Sequence, residues 1–443
     1  MTAIINLSAN RWKFSRSIDG AGLVSVVAYS VLAWYSSHPS LLTIPIYYVL
    51  LGICLVATLV AFRGADEKSL TPMKLLFWAA CFRLIGVFGD PIWEDDFFRY
   101  LWDGYRFFES GSPYGIAPST FFGDANIPAK YYALLAQVNY PDVPTIYGPT
   151  LQYSFLLAQL LAPAQVWVLQ VLYALVDMAM ILLLLRLTNI RWVLLYAWSP
   201  LIIKELAFTA HPDGVGAVLM MLALYWRQKN QLATSVSVLA LSVGAKVFAL
   251  LMVPFILWRL SFRYWCLFVS VLLVLYVPFL WQGGSDMAGL LVFAREWNFN
   301  SSLYASLRQW LDPLSVKLIL GSFFMMVYAA LFWQHQKASD WKMPRGDLVF
   351  GFFLLVSPVV NAWYLIWLLP FAVVFPALWS WTFSVTVLLS YTIGMNLNST
   401  DVAFFEMPLW AVMLEYGAVI IAVCIDLWLR KKNCLIKKVI SNV

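Results

Sequence analysis

Charged residues are scarce in this 443-residue chain, where Asp, Glu, Lys and Arg together make up 12%. A soluble domain carries about 25%, so there is too little polar surface to cover a water-exposed globule. Hydrophobic residues make up 62%, and Lys and Arg outnumber Asp and Glu by 29 to 23. In a polytopic membrane protein, basic residues mark the cytoplasmic loops. The composition predicts a single integral membrane domain, residues 1–443, that contacts membrane lipids and binds no nucleic acid.

Cysteine and histidine are also rare, at five and three residues. The cysteines are odd in number and scattered, and none shows the CxxC or Cys/His spacing of a metal site, so neither a disulfide framework nor a zinc site is predicted. We expect no cofactor and no bound metal. Arg11, Lys13 and Arg16 precede the first apolar run, and no small-residue cleavage site follows it. We therefore expect a retained first span that starts in the cytoplasm.

Apolar runs of about 20 residues predict helices that cross the hydrocarbon core. The predicted fold class is an all-α polytopic membrane protein with roughly 12–14 transmembrane or half-inserted helices and a long first outer loop with interfacial helices. The predicted spans are about 21–37, 44–62, 71–88, 165–186, 191–208, 211–226, 264–282, 313–334, 347–361, 363–378, 381–396 and 408–429.

Two further apolar segments cannot be complete crossings if every basic cluster is cytoplasmic. Segments 148–162 and 231–258 are therefore predicted to be re-entrant or broken helices, the second broken near Lys246. The same orientation places both termini in the cytoplasm and the loops 89–147 and 283–312 outside.

The loop 89–147 holds the densest group of charged and aromatic residues. Residues Glu94–Asp96 form an acidic triplet, and because adjacent carboxylates repel one another, a general base among them is plausible on chemical grounds. In the helix that follows, ions share one stripe opposite aromatic residues, which predicts an interfacial helix with its aromatics toward lipid and its ions toward a cavity. A solvated face held by ion pairs is the alternative. The stripe consists of Asp96, Arg99, Asp103 and Arg106.

Charges within apolar runs form a second group of candidates, because each costs roughly 2.5–3.5 kcal/mol to insert. Lys204 and Glu205 lie in one such run, where a mutual ion pair is the structural alternative. Lys246 is the only charge in 231–258 and has no acidic neighbour in sequence. An anionic partner such as a lipid phosphate would satisfy it.

Three outer segments carry weaker signals. His211 and Asp213 flank Pro212 at a helix start, where ordinary capping accounts for them equally well. Arg295 in the loop 283–312 has the fork geometry to grip a phosphate. Trp363 and Tyr364 fit either a site or the aromatic belt of the membrane interface.

Taken in order, these motifs resemble the GT-C superfamily of membrane glycosyltransferases, which take a sugar from a polyprenyl-phosphate donor at the outer or lumenal face. The resemblance covers about residues 70 to 370 and is greatest to the bacterial polyprenyl-phosphate-mannose-dependent mannosyltransferases. The motifs are Asp95 to Gly104, Gly111 to Tyr114, Tyr147 to Pro149, His211 to Asp213, Lys246 and Asn361 to Tyr364.

The resemblance implies direct displacement at the sugar's anomeric carbon, with inversion, in a bacterial inner (plasma) membrane. The catalytic carboxylate falls on Asp95 or Asp96. A DxD motif would need an acidic residue at position 97, where this chain has Phe97, which weakens the case for a metal. Candidates to stabilise the leaving phosphate are Arg99, Arg106, Lys204, Lys246 and Arg295. The other candidate substrate-binding residues are Tyr100, Asp103, Tyr147, Glu205, His211, Asp213, Trp363 and Tyr364.

Two other functions remain open from sequence. A lipid-linked sugar transporter or flippase also has buried charges and broken helices. A polysaccharide polymerase or ligase also acts on lipid-linked sugars. Within the transferase hypothesis, the sugar is mannose by resemblance, with glucose or arabinose as alternatives. The acceptor is expected to be a lipid-linked or glycan molecule, and the sequence leaves open a glycolipid, a lipid-linked glycan, a polysaccharide or a protein.

Overall fold

The computed structural model describes residues 2–66, 69–396 and 407–440, and helices dominate these ranges. The only β-type pairing within them is an isolated parallel bridge between Phe299 and Val359. Short 3₁₀ segments cover Pro118–Phe121, Val247–Met252, Ala362–Tyr364 and Val387–Asn396, and a π-helical turn covers Lys204–Phe208. The α-helices of the described ranges are, in chain order, α1 (Thr2–Ser36), α2 (Ile44–Gly64), α3 (Pro72–Val87), α4 (Asp96–Ser110), α5 (Ala129–Leu135), α6 (Pro149–Leu161), α7 (Val166–Leu187), α8 (Ile190–Ala197), α9 (Pro200–Ile203), α10 (Asp213–Gln228), α11 (Leu232–Ala245), α12 (Val253–Leu257), α13 (Phe262–Leu280), α14 (Met287–Glu296), α15 (Leu303–Arg308), α16 (Pro313–Gln336), α17 (Gly346–Val356), α18 (Leu365–Val374), α19 (Leu378–Thr386) and α20 (Leu409–Ile440).

Six helices are long and apolar enough to cross a membrane: α1, α2, α7, α13, α16 and α20. Over half of the apolar window of α7 is buried inside the protein, whereas α13 and α20 bury only 11% of theirs. A soluble monomer rarely exposes continuous apolar surface on this scale, so these helices require lipid around them. The protein is therefore an integral membrane protein.

Several apolar segments are shorter than predicted. The expected span 191–208 is divided into α8, α9 and the π-helical turn, because Pro200 follows Trp198 and Ser199 and starts a new helix. The chain then bends by 117° into α10. Counting that bent pair as one crossing raises the full-length spans of the described ranges to seven. The roughly 12–14 helices expected included half-inserted ones, and shorter apolar segments such as Leu232–Ala245 and Gly346–Val356 add to the seven.

The two segments predicted to be re-entrant or broken helices both contain short helices. Segment 148–162 contains the 13-residue α6. Segment 231–258 contains α11 and α12, and between them Lys246 is extended, with φ −154° and ψ 140°. The helix therefore stops at Lys246, and the chain continues as the 3₁₀ segment 247–252.

The amphipathic helix α4 differs in part from its predicted orientation. Three of its aromatics do not face lipid, because Tyr100, Trp102 and Tyr105 are each at most 5% exposed, whereas Phe108 is 56% exposed. They pack against residues of α5 and α6, such as Tyr131 and Phe155, because a helix in a folded loop can bury both faces. These contacts fix one side of α4 against α5 and α6.

A close approach between α4 and α6 fixes this placement. A Cβ added to Gly104 of α4 would lie 2.5 Å from the carbonyl oxygen of Phe155 in α6. Only glycine permits the two backbones to pack at this distance. Because α4 begins at Asp96 and carries Arg99, the contact also sets the depth of those two charges.

We predict that Gly104→Ala lowers the midpoint of thermal unfolding in detergent, because the new methyl group must push α4 away from backbone atoms. The matched control is Gly52→Ala in α2, where an added Cβ meets nothing within 4 Å. Glycine-to-alanine inside a helix is otherwise favourable by about 0.5–1 kcal/mol. An equal or higher midpoint for Gly104→Ala would contradict the close-packing account.

Candidate functional site

A cavity of about 360 Å³ lies between segments that are far apart in the sequence. It is bounded by the acidic turn that precedes α4, the end of the loop 89–147, the break at Lys246, the end of α14, and the turn before α18. Of the predicted site residues, seven line it: Asp95, Asp96, Arg99, Tyr147, Lys246, Trp363 and Tyr364.

The acidic turn presents all three of its carboxylates to the cavity. Trp93 just before it has φ +51°, a strained backbone for a bulky residue that turns the chain sharply into Glu94. Asp95 is the residue before α4, yet its side chain makes no capping bond to the helix. Its carboxylate therefore makes no hydrogen bond to the backbone at the start of α4. It accepts a hydrogen bond from the side-chain amide of Asn139 instead.

Burial raises the pKa of these carboxyls above their usual range. For Asp95 the pKa rises to about 7, through burial first and the neighbouring Asp96 second, while the hydrogen bond from Asn139 lowers it. Burial also raises the pKa of Asp96, and Lys246 opposes the rise. The pKa of Glu94 is raised by burial too, against the field of Lys204. A carboxyl with a pKa near 7 is suited to take up a proton at neutral pH.

Two cations face this acidic turn, and each is held by a buried carboxylate. Arg99 pairs with Asp103 at 3.0 Å and also donates to the backbone oxygen of Val143 at 2.9 Å. Lys246 donates to both oxygens of Asp213, at 2.7 and 2.9 Å. The side chains of Arg99 and Lys246 remain 11% and 15% exposed, so both can still meet a ligand.

The His211–Asp213 turn lies directly behind the cavity wall. Asp213 does not cap α10 through its side chain; its Oδ1 accepts from Trp367 Nε1 at 2.8 Å as well as from Lys246. The ring of His211 stacks on Trp363 with centroids 4.0 Å apart. Asp213 does lie in the first turn of α10, but capping alone does not account for it, because its carboxylate also accepts from Lys246.

A chain of polar contacts links His211 back to the acidic turn. His211 Nδ1 lies 3.2 Å from the hydroxyl of Tyr100, and that hydroxyl lies 3.5 Å from the hydroxyl of Tyr147. Tyr147 in turn donates to Asp96 at 3.3 Å. Tyr100 thus supports the site from beneath rather than lining the cavity.

Lys204 and Glu205 are fully buried and pair with each other at 3.3 Å. Glu205 also accepts a bond from Tyr391 at 2.8 Å, and Lys204 lies 3.6 Å from the centre of the Tyr391 ring. Tyr391 lines the cavity, whereas neither member of the pair does. The pair therefore supports the cavity wall from behind. The mutual ion pair is the alternative to a substrate-binding role that the sequence analysis gave for these two residues.

Two of the predicted cations lie elsewhere. The Arg106 guanidinium stacks 4.2 Å from the centre of the Phe121 ring, on the far part of α4. Arg295 is exposed, and it is the next residue, Glu296, that reaches the cavity. Arg106 lies too far along α4 to reach the cavity, because the helix extends away from the acidic turn by about 1.5 Å per residue.

Several cavity residues were missed by the sequence reasoning. Asn139, Tyr140 and Asp142 come from a polar turn that a Pro at position 141 marks. In the loop 283–312 the sequence pointed only to Arg295, whereas the structure places Trp297, Asn298 and Phe299 in the cavity wall. Tyr391 gave no signal, because it lies in an apolar run whose break into α19 and a 3₁₀ segment was not predicted.

The cavity combines a surplus of carboxylates with aromatic rings. Five acidic residues line it against the two cations, each of which is already paired. Carboxylates accept hydrogen bonds from hydroxyl groups, and aromatic faces pack on apolar ligand surfaces. Within the described ranges, no group of three or more His, Cys, Asp or Glu residues is arranged to hold a metal ion.

Comparisons with protein-family models, with curated proteins and with solved structures found no match for this chain.

The Lys246–Asp213 pair gives a direct test of the site's construction. We predict that Lys246→Met lowers stability by about 3–5 kcal/mol, because Asp213 is left as an unpaired buried charge. The double variant Lys246→Met with Asp213→Asn should recover most of that loss, since no charge remains and the amide oxygen still accepts from Trp367. Thermal unfolding of both variants in detergent measures the effect. If the double variant were as unstable as Lys246→Met, the Lys246–Asp213 ion pair would not be what stabilises the helix break at Lys246.

Proposed function

We propose that the protein is an inverting glycosyltransferase that moves a single sugar from a polyprenyl-phosphate donor to a lipid-linked or glycan acceptor. Mannose is the first candidate for the sugar. The observation that carries the proposal is the cavity in which a carboxyl with a pKa near 7 faces two cations, within a membrane protein. Such a site offers a base for one substrate and a positive counterpart for the phosphate of the other.

The reaction that fits this arrangement is a single displacement. Asp95 is the better candidate for the base, because its pKa lies near neutrality. As Asp95 takes the proton from the acceptor hydroxyl, the acceptor oxygen bonds to the anomeric carbon, and the bond from that carbon to the phosphate oxygen breaks. The electron pair leaves with the phosphate, whose charge Lys246 and Arg99 stabilise. A β-linked donor would give an α-linked product.

The surroundings of Lys246 suit a phosphate that carries a lipid tail. The 3₁₀ segment that begins directly after Lys246 exposes apolar side chains, with Val247 at 37% and Leu250 at 47% exposure. A phosphate bound at Lys246 would therefore have apolar protein surface beside it for its first isoprene units. This is the reason to favour a lipid-linked donor over a water-soluble sugar nucleotide.

The distribution of basic residues supports an orientation with this cavity at the outer face. Arg63 and Lys74 flank the loop between α2 and α3, and Arg345 lies before α17. With these loops in the cytoplasm, the loop 89–147 lies outside. In the proposed setting, a bacterial inner membrane, donor and acceptor then meet at the periplasmic surface.

The bent pair of α9 with α10 also favours a second candidate, a lipid-linked sugar transporter, because broken helices line transport sites. Transport would depend on the buried Lys204–Glu205 pair and would leave the donor bond intact. Transfer would depend on Asp95 or Asp96. The two functions are therefore separated by one assay.

We predict that Asp95→Asn lowers the rate of sugar transfer from synthetic polyprenyl-phosphate-mannose in membranes by about 10²–10⁴-fold, the usual cost of losing a general base. Asp96→Asn should have a smaller effect if Asp96 only orients the acceptor. Thermal unfolding of the same preparations checks that each variant folds. Full activity in both folded variants would remove these carboxylates from the mechanism.

The pH profile tests which carboxylate is the base. The base must be ionised, so transfer should rise with pH through about 7, the pKa of Asp95. Asn139→Leu removes a hydrogen bond that lowers this pKa, so the rise should move to higher pH. The control is Asn126→Leu, which removes an amide that bonds Asp124 in the same loop but outside the cavity. An unshifted profile for Asn139→Leu would exclude Asp95 as the titrating group.

A further inference from the structure

A carboxylate in the last described helix holds one wall of the cavity without touching it. Glu415 of α20 is fully buried, and both of its oxygens accept from the side-chain amide of Asn300, at 3.1 and 3.2 Å. The next residue, Tyr416, donates its hydroxyl to the backbone oxygen of Asn300 at 2.6 Å. Two adjacent residues of α20 therefore hold both the side chain and the backbone of Asn300.

Asn300 ends the stretch that forms this wall. Trp297, Asn298 and Phe299 all line the cavity, and Asn300 follows them with φ +46°. Asparagine tolerates this left-handed conformation better than most residues, but it still needs contacts that fix it. The contacts that Glu415 and Tyr416 make supply them.

The same stretch controls a second part of the wall. The backbone of Phe299 donates to Pro358 and accepts from Val360, both at 2.9 Å, which forms the isolated parallel bridge. The turn that follows Val360 carries the cavity residues Asn361 and Trp363. A shift of Asn300 would therefore move both wall segments together.

The wall also contacts the opposite side of the cavity. The ring of Trp297 lies edge-on to Tyr140, with centroids 4.6 Å apart. Tyr140 is the neighbour of Asn139, which bonds the carboxylate of Asp95. A connected set of contacts thus runs from α20 to the acidic turn.

Glu415 has no cation within salt-bridge distance among the described residues, and Asn300 is its only hydrogen-bond partner there. Burial of a carboxylate with a single amide partner is costly, and an apolar side chain would fill the same place without that cost. Among the described residues, the bond to Asn300 is therefore the contact that gives this carboxylate a role.

We propose that Glu415 is a positioning residue: through Asn300 it fixes the wall formed by residues 297–300 and 358–364 against the acidic turn. The expected effect of Glu415 on sugar transfer rests on the proposed function. Its effect on the position of the wall can be measured without any substrate.

The test compares wild type with Glu415→Leu, which removes both acceptor oxygens, and Glu415→Gln, which keeps one. The matched control is Gly417→Ala, two residues along α20, where an added Cβ meets nothing within 4 Å. The first readout is kcat/KM for transfer from polyprenyl-phosphate-mannose. We expect Glu415→Leu to lose about tenfold or more, because a misplacement of about 1 Å can cost ~10²-fold. Glu415→Gln should retain part of the activity, and Gly417→Ala all of it.

The second readout uses no substrate. Ser301→Cys, at a buried position next to Asn300, is introduced into each background, and its reaction with a water-soluble maleimide is followed by mass spectrometry of the peptide that carries residue 301. We expect several-fold faster labelling with Glu415→Leu than with Glu415 intact. Unchanged labelling and unchanged transfer would overturn the inference. Faster labelling together with an inactive wild type would overturn the proposed function and leave the positioning role standing.

If Glu415→Leu fails to fold, Glu415→Gln decides the question with the same two readouts. A folded Glu415→Gln that matches wild type in labelling and in kcat/KM would overturn the inference. A smaller change in the same direction in both readouts would support it.

Discussion

The ion pair between Lys246 and Asp213 is the interaction on which the cavity depends. It joins the break after α11 to the first residue of α10, and Trp367 of α18 bonds the same carboxylate. In an interior this apolar, an unpaired charge is too costly to keep, so Lys246 must stay beside Asp213. The helix therefore has to stop at Lys246, and the cavity forms where it stops.

On the opposite side of the cavity, the protonation of the acidic turn depends on a balance between burial and nearby charges. Burial and repulsion from nearby carboxylates raise the pKa of each carboxyl of the acidic turn, that of Asp95 to about 7, and the fields of Lys246 and Lys204 partly offset the rise for Asp96 and Glu94. The turn therefore keeps a group that can gain or lose a proton at neutral pH. The cations across the cavity are already paired, so they can stabilise charge that develops on a ligand without a large rearrangement.

The sequence predicted the features that depend on composition and on the cost of buried charge. The low charge content indicated a membrane protein, and Lys246 was singled out because it interrupts an apolar run. Asp95 and Asp96 precede Lys246 by about 150 residues in the sequence, and all three line one cavity. The orientation of α4 was predicted only in part: Asp96 and Arg99 line the cavity, but Tyr100 and Trp102 are buried, because periodicity identifies two faces of a helix but not which one packs on protein.

The remaining cavity residues could not be predicted, for physical reasons. Asn139 and Tyr391 reach the cavity through tertiary packing that leaves no periodic signal. Arg295 has the right chemistry, but α14 ends in a direction that presents Glu296 instead. Glu415 lies in an ordinary apolar span, and its partner Asn300 is 115 residues away.

Native mass spectrometry of the purified protein with polyprenyl phosphate tests the central claim most directly, because it needs no knowledge of the acceptor. The account predicts that wild type retains one lipid phosphate and that the folded double variant Lys246→Met with Asp213→Asn retains far less. Equal retention by the two proteins would contradict the claim that the cation at the helix break receives the phosphate of the donor.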